Sequence, residues 1–397
     1  MRQAFGIKVL AVGAVVSILA ISGCNKQVPP STSTTSAVTT TTTPKAVAPA
    51  GPYGDLNIAL GTFGSEKFYP PRTEQGVLVT NLAPMFDFMV NIDVSGAGLA
   101  PGVLDKWEMA PDAMSWTFYI HPGIKFHNGA DLTADDVKFT MEQNTGTGSI
   151  ATEVSQSVTG ADVVDKGTVR VKTKGATLDL PAYLTVIAPS RGQVVPKAYV
   201  EKNGVDYFQA NPIGSGPWKF VRRVGGDSIR YEANLDHWKQ VPAFKNLNLL
   251  LVPEEGTRVA MLKTGMIDVS EASTEAARGL TAAGFRPFTL DYQSSMVALY
   301  GAYLPEAAGM PIADIRVRQA LSMAINRDEI IKTFFYGNAI PAMVNNTSQV
   351  SRDIDTAYWV EQAARINRYD ADGAKKLLAD AGHARGFDIS FFTFTQQ

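Results

Sequence analysis

The chain has 397 residues, with 36 Lys and Arg against 38 Asp and Glu, so its formal net charge is −2. This near-neutral balance, without basic blocks, argues against nucleic acid or an anionic lipid surface as a partner. The single cysteine excludes an internal disulfide, so the folded part must be stabilised by hydrophobic cores, for which 45% hydrophobic residues are ample.

Residues 1–23 have the pattern of a signal peptide. A basic leader with Arg2 and Lys8 precedes an uncharged run at residues 9–21, which is shorter than the roughly 20 apolar residues that span a bilayer. The run ends in ISGC at residues 21–24, which resembles the bacterial lipobox. We predict that the chain is cleaved after residue 23 and that the Cys24 thiol carries a lipid. The alternative is an uncleaved membrane anchor with an incidental cysteine.

Residues 24–51 are predicted to be a disordered tether behind the lipid. They are rich in Ser, Thr, Pro and Ala, with five consecutive threonines at residues 39–43. Such a segment cannot bury enough apolar surface to offset the entropy of ordering. The alternative, a strand of threonines at a sheet edge, lacks an alternating apolar face.

Beyond residue 51 the chain mixes strand and helix patterns. Alternating apolar side chains predict half-buried strands at residues 56–60, 115–120 and 168–173. A more continuous apolar run predicts a central strand, buried on both faces, at residues 246–252. Helices are predicted after the N-caps Thr133, Asp314 and Asp370, and at residues 254–264. The mixture indicates an α/β fold.

Four segments carry motifs that together point to one family. They are LDKWEMAPDAMSWTFYIHPGIKFHNGADLTADDVKFTMEQ at residues 104–143, NPIGSGPWKF at 211–220, DIRVRQAL with AINR at 314–327, and YD with AKKLL and AG at 369–382. In this order they resemble family 5 of the bacterial extracellular solute-binding proteins, the oligopeptide- and dipeptide-binding type. Such motifs indicate the fold more strongly than the ligand.

The resemblance implies an α/β fold of two lobes, the class II periplasmic-binding-protein type, with an extra domain on the first lobe. Carried onto this chain, the first lobe comprises residues 52–72 and 205–288, the extra domain residues 73–204, and the second lobe residues 289–397. Family chains continue well beyond the position that matches residue 397. We therefore expect a C-terminally truncated sequence with an incomplete second lobe.

The resemblance also implies a function. We expect the substrate-binding component of an ABC importer, a monomer that captures a peptide or similar small solute and delivers it to the permease. It would be exported and held by its lipid on the outer face of the cytoplasmic membrane. Relatives also handle nickel chelates, oligosaccharides, haem or opines, so another cargo stays open, as do a sensing lipoprotein without an importer and a secreted hydrolase.

Candidate ligand-binding residues are the aromatics Phe63, Phe68 and Tyr69 after the first strand, and Tyr292 near the predicted crossover between the lobes. The alternative is that they are ordinary core or surface aromatics. No catalytic residue, metal site or cofactor is predicted. The chain has four histidines, His121, His127, His237 and His383. His121 and His127 flank a predicted turn at a spacing unlike helical metal ligation or a zinc-finger pair.

Overall fold

The structure, a computed structural model, describes residues 51–93, 98–187, 190–288, 305–341 and 355–388. The chain divides into two compact units between Ser270 and Glu271. The predicted signal peptide, Cys24, residues 24–50 of the predicted tether and Tyr292 lie outside the described residues. Within the described ranges, no helix is both long and apolar enough to cross a membrane.

The first unit contains all the strands that the structure describes, together with seven α-helices. In chain order these are β1 (Asp55–Leu60), α1 (Gln75–Val77), β2 (Val90–Ile92), β3 (Leu99–Pro101), β4 (Leu104–Met109), β5 (Ser115–Ile120), α2 (Ala134–Thr145), α3 (Thr152–Ser157), β6 (Val158–Asp165), β7 (Thr168–Thr173), α4 (Leu180–Tyr183), α5 (Lys197–Asn203), α6 (Val205–Ala210), β8 (Trp218–Val224), β9 (Ser228–Ala233), β10 (Asn246–Leu251), α7 (Glu255–Lys263) and β11 (Val269–Ser270). A π-helix, Leu78–Leu82, follows α1 directly.

A five-stranded sheet with the strand order β11–β1–β10–β9–β8 forms one half of this unit. β1 pairs in parallel with β10 and with β11, whereas β9 and β8 continue the sheet antiparallel. Its apolar face contributes Leu249 and Tyr231 to a core of buried aromatic and aliphatic side chains. Because β1, β10 and β11 run parallel, their carboxyl ends lie at one edge of the sheet.

The middle strand, β10, corrects one prediction. Its central position is as predicted for residues 246–252, and Leu247 and Leu249 are buried. Burial on both faces is wrong, because Asn248 lies on the opposite face, where it is partly exposed. There its side-chain amide donates a hydrogen bond to the Asn57 side chain at 2.9 Å. One face of the strand is apolar, whereas the opposite face carries Asn246, Asn248 and Leu250.

A four-stranded antiparallel sheet with the order β4–β5–β7–β6 forms the other half. Phe118, Val169 and Val171 are fully buried, and α2 contributes Val137 and Met141 to the same core. The opposite face carries ion pairs, such as Lys172 with Asp162, and is therefore solvated. The predicted strands at residues 115–120 and 168–173 are confirmed as β5 and β7.

The predicted helix starts are also confirmed. The N–H and the hydroxyl of Thr133 both donate to the Asp136 carboxylate at 2.9 Å, which caps α2. In the second unit, the carboxylates of Asp314 and Asp370 accept backbone N–H groups of the next turn. Its helices are α8 (Thr274–Ala282), α9 (Ile315–Met323), α10 (Arg327–Phe334), α11 (Thr356–Ile366) and α12 (Ala371–Asp380). α9 packs against α12.

The predicted domain boundaries stay predictions. The four-stranded sheet lies inside the predicted extra domain, residues 73–204. Within that range, however, eight buried apolar side chains belong to the core under the five-stranded sheet: Val77, Leu78, Leu82, Met85, Phe86, Phe139, Val195 and Val200. The first unit ends at Ser270, whereas residue 288 is the predicted end of the first lobe.

Candidate functional site

The carboxyl edge of the parallel strands is the candidate site of the first unit. In open α/β sheets, ligands bind outside the carboxyl ends of the strands. At this edge β1 leads into residues 61–67, here called the β1 turn, and β10 leads into residues 252–254. The two exits are joined directly, since Val252 N–H donates to the Leu60 carbonyl at 2.9 Å.

Three of the predicted ligand-binding aromatics, Phe63 in the β1 turn and Phe68 and Tyr69 immediately after it, lie in the core. Phe63 is 2% exposed, and Phe68 and Tyr69 are fully buried. Tyr69 packs edge-on against Phe208 at 5.5 Å, and Phe68 packs similarly against Phe220. Burial raises the pKa of the Tyr69 phenol to about 12. Side chains without accessible surface cannot contact a solute unless they move, so the burial supports the alternative, that they are core aromatics. Ligand contact by these three and by Tyr292 stays a prediction.

Hydrogen bonds from distant side chains hold the backbone of the β1 turn. Asn81 Nδ2 donates to the Phe63 carbonyl at 2.9 Å, and Ser65 N–H donates to Glu74 Oε1 at 3.0 Å. Immediately after the turn, Gln209 Oε1 accepts the N–H groups of Phe68 and Tyr69. The turn is thus fixed before any ligand arrives, which lowers the ordering cost of binding.

Sequence reasoning missed Asn81, Glu74 and Gln209. Gln209 lies 140 residues from Tyr69, and Asn81 lies 18 from Phe63. No motif or periodicity marks such pairs. Although partial burial acts in the opposite direction, the hydrogen bonds from Ser65 hold the pKa of Glu74 below its ordinary value. Glu74 is therefore an ionised acceptor at neutral pH.

The outward surface of the β1 turn is small and polar. Thr62, Ser65 and Lys67 are exposed, as is Gly64, which has a φ of 60°. A Cβ on Gly64 would meet Val77 Cγ2 at 2.5 Å, so glycine keeps the turn close to α1. The exposed Thr62 hydroxyl and Lys67 ammonium group suit the recognition of a polar small molecule.

The exit of β10 is held by one buried cation. Arg258 is 7% exposed, and its Nη1 donates to the carbonyls of Val252 and Pro253, each at 2.7 Å. These two hydrogen bonds to carbonyl oxygens help to stabilise the charge of the buried guanidinium. Both exits at the edge are therefore rigid.

A second polar cluster, away from this edge, joins two of the sequence motifs. His127 Nε2 donates to the Gly216 carbonyl at 3.0 Å, and Gly214 N–H donates to His127 Nδ1 at 3.2 Å. This pattern requires the neutral ring with its proton on Nε2. Burial, with a smaller effect from Lys219, lowers the pKa of His127 to about 4. These hydrogen bonds hold His127 against Gly214 and Gly216, and we call the cluster the His127 joint.

Two other histidines lie near that joint. His237 and Trp238 both direct ring N–H groups at the Asp87 carboxylate, at 3.1 and 2.8 Å. His121 lies against Trp238 with ring centroids 4.6 Å apart and contacts Asp105 at 2.7 Å. Among the described residues, no group of three or more His, Cys, Asp or Glu side chains is arranged to hold a metal ion.

Comparison with known proteins identifies a family. The model of the "Bacterial extracellular solute-binding proteins, family 5 Middle" matches residues 98–397. Haem-binding protein A of Haemophilus influenzae is 25% identical over 78% of this chain and 58% of its own length. The dipeptide-binding protein of Escherichia coli is 25% identical over 79% of this chain and 61% of its own length. The chain thus spans about three fifths of the length of these relatives.

A solved structure supports the fold. The dipeptide-binding protein of a Pseudoalteromonas species, in complex with Met-Leu, superposes with a TM-score of 0.64 at 22% identity, covering 84% of this chain and 68% of that one. The predicted fold class, an α/β periplasmic-binding-protein-like fold, is confirmed.

Proposed function

The chain belongs to the bacterial extracellular solute-binding proteins of family 5, and on that premise we propose that it is the substrate-binding component of an ABC importer. The observation that carries the proposal is the match of the family model over residues 98–397. We propose further that the protein captures its solute outside the cytoplasmic membrane and presents it to the permease. Closure around the ligand, as periplasmic binding proteins show, would be the signal that the permease reads.

The geometry of the first unit supports a binding role. At the carboxyl edge of the parallel strands, a turn that is already held in place offers an exposed hydroxyl and an ammonium group, as sites for polar solutes do. Binding to such a turn needs no covalent step, and family 5 consists of solute-binding proteins.

A peptide is the cargo that we propose, because the Escherichia coli relative is a dipeptide-binding protein. Haem is the second candidate, since the Haemophilus influenzae relative has the same identity to this chain. A peptide would supply amide and terminal charges to polar groups at the edge, whereas haem would need a broad apolar surface. The small polar surface of the β1 turn favours the peptide.

Extraction of bound solute tests the cargo. The full-length protein is purified from its host without added ligand and denatured, and the released small molecules are identified by mass spectrometry. We expect di- to oligopeptides in near-stoichiometric amount. Recovery of haem, a sugar or a metal chelate instead would overturn the peptide assignment. The same protein refolded after extraction serves as the control, and it should release nothing.

The lipid anchor is a separate proposal, supported by the ISGC sequence before the tether. Cys24→Ala removes the thiol that would carry the lipid. We expect loss of labelling by a radioactive fatty acid and release of the protein from the membrane fraction. Ser31→Ala, in the predicted tether, is the matched control and should keep both properties. Unchanged membrane retention of Cys24→Ala would contradict the anchor.

A further inference from the structure

Glu66 holds the β1 turn from its outer side. Its Oε1 accepts the backbone N–H of Gly226 at 2.8 Å, and its Oε2 lies 3.8 Å from Arg223 Nε. The Arg223 guanidinium also donates to the Glu66 carbonyl oxygen and lies 5.2 Å from the centre of the Phe68 ring. Glu66 therefore ties the turn to the end of β8 and to the hairpin that follows it, residues 225–227.

The same hairpin also touches the exit of β10. The Asp227 carbonyl accepts the N–H of Leu251, the last residue of β10, at 2.8 Å. One hairpin thus contacts both strand exits that form the candidate site. A group that fixes the β1 turn to this hairpin also fixes its distance from the end of β10.

The backbone of Glu66 has an unusual conformation. Its φ is 52°, in the left-handed region that residues other than glycine seldom adopt. Such a conformation persists only where surrounding contacts compensate its cost, and it concentrates at functional sites. Glycine would adopt this φ freely and would keep the backbone carbonyl that Arg223 contacts, but it would lose the carboxylate contacts with Gly226 N–H and Arg223 Nε. The side chain is only 19% exposed, so its contacts are partly shielded from water.

We propose that Glu66 is a positioning residue of the solute site. Through Gly226 and Arg223 it locks the β1 turn, so that the exposed side chains of Thr62 and Lys67 are presented in one arrangement. The proposal rests on the proposed solute-binding function for its purpose, but the lock itself does not depend on a ligand. Loss of the lock should raise the ordering cost of binding and weaken affinity without unfolding the unit.

Glu66→Gly is the discriminating variant, because it removes the carboxylate and at the same time relieves the backbone conformation. We expect amide hydrogen exchange of Ser65 and Phe68 to accelerate about tenfold or more, by local opening, while the melting temperature changes by no more than about 3 °C. Glu66→Gln keeps an oxygen for Gly226 N–H and should restore part of the protection.

Affinity for Met-Leu and for haemin is measured by calorimetry, and whichever probe binds the wild type should bind Glu66→Gly about tenfold more weakly.

Ala113→Gly is the matched control. Ala113 also has a positive φ, 57°, in the connection between β4 and β5, so the substitution relieves similar strain away from the turn. It should leave exchange at Ser65 and affinity unchanged. Unchanged exchange in Glu66→Gly, faster exchange throughout the unit with a large fall in melting temperature, or unchanged affinity would each overturn the proposal. The exchange measurement needs no solute, so a wild type that binds neither probe counts against the proposed cargo, and exchange still decides whether Glu66 locks the turn.

Discussion

Gly214→Ala is expected to lower the free energy of unfolding by about 3 kcal/mol or more. A Cβ at this position would lie 2.1 Å from the Met85 carbonyl oxygen and 2.9 Å from its carbonyl carbon. The obstacle is backbone, which cannot swing aside as a flexible side chain can. The cost is therefore a displacement of the segment around Met85, which belongs to the core under the five-stranded sheet. Urea unfolding followed by tryptophan fluorescence measures the difference.

Gly160→Ala is the matched control for this prediction. Gly160 lies in β6, and an added Cβ there meets no atom within 4 Å. Alanine at this position should change stability by less than about 1 kcal/mol, because it meets no obstacle. An equal loss in both variants would show that the close approach to Met85 does not set the cost. Gly216→Ala should behave like Gly214→Ala, since its Cβ would lie 2.5 Å from the Met85 carbonyl carbon.

The protein is expected to lose about 3 kcal/mol of stability as the pH falls from about 6.5 to about 4, through His127 alone. In the folded chain burial lowers the pKa of His127 from its ordinary 6.5 to about 4. Between these values the unfolded chain binds a proton that the folded chain does not, so acid favours unfolding. Above pH 6.5 the His127 ring is neutral in both the folded and the unfolded chain, so it does not lower the stability. Below pH 4 the ring is protonated in both, and the loss of stability is complete. Urea unfolding at several pH values measures the slope.

His127→Gln isolates this contribution from other titrating groups. Glutamine can donate to the Gly216 carbonyl and accept from Gly214 N–H, as the histidine ring does, but it does not titrate. We expect the variant to be less stable than wild type at pH 7.5, because its flexible side chain fits less well, and to lose less stability on acidification. An identical acid slope in both proteins would contradict the assignment of the slope to His127.

Local elements of the fold could be predicted from the sequence. Asp314 and Asp370 accept backbone N–H groups two and three residues further on, and Asp136 accepts the N–H of Thr133, three residues before it. The signal and its effect therefore lie in the same short segment. The strands β1, β5 and β7 were likewise predictable from alternation, because each has one apolar face on a core. The family was recognisable because each of its motifs lies within a short segment. The match of the family model over residues 98–397 confirms the family.

The joint at His127 shows where local signals stop. Both motifs were visible in the sequence, but their contact was not, since His127 and Gly214 lie 87 residues apart. The requirement for glycine at 214 and 216 arises from Met85, which belongs to neither motif. A turn was predictable there; the close approach that demands glycine was decided by tertiary packing.

The sequence by itself determined the class of the chain: its family, its mixed α/β pattern and the starts of its helices. The tertiary structure alone decided which aromatic side chains are exposed to solvent, and it buries Phe63, Phe68 and Tyr69 in the core. It also brought Asn81 and Gly226 to the β1 turn, and Gln209 to the two residues that follow it. The physical reason is that caps and periodicity act over a few residues, whereas burial and these hydrogen bonds depend on segments far apart in the chain.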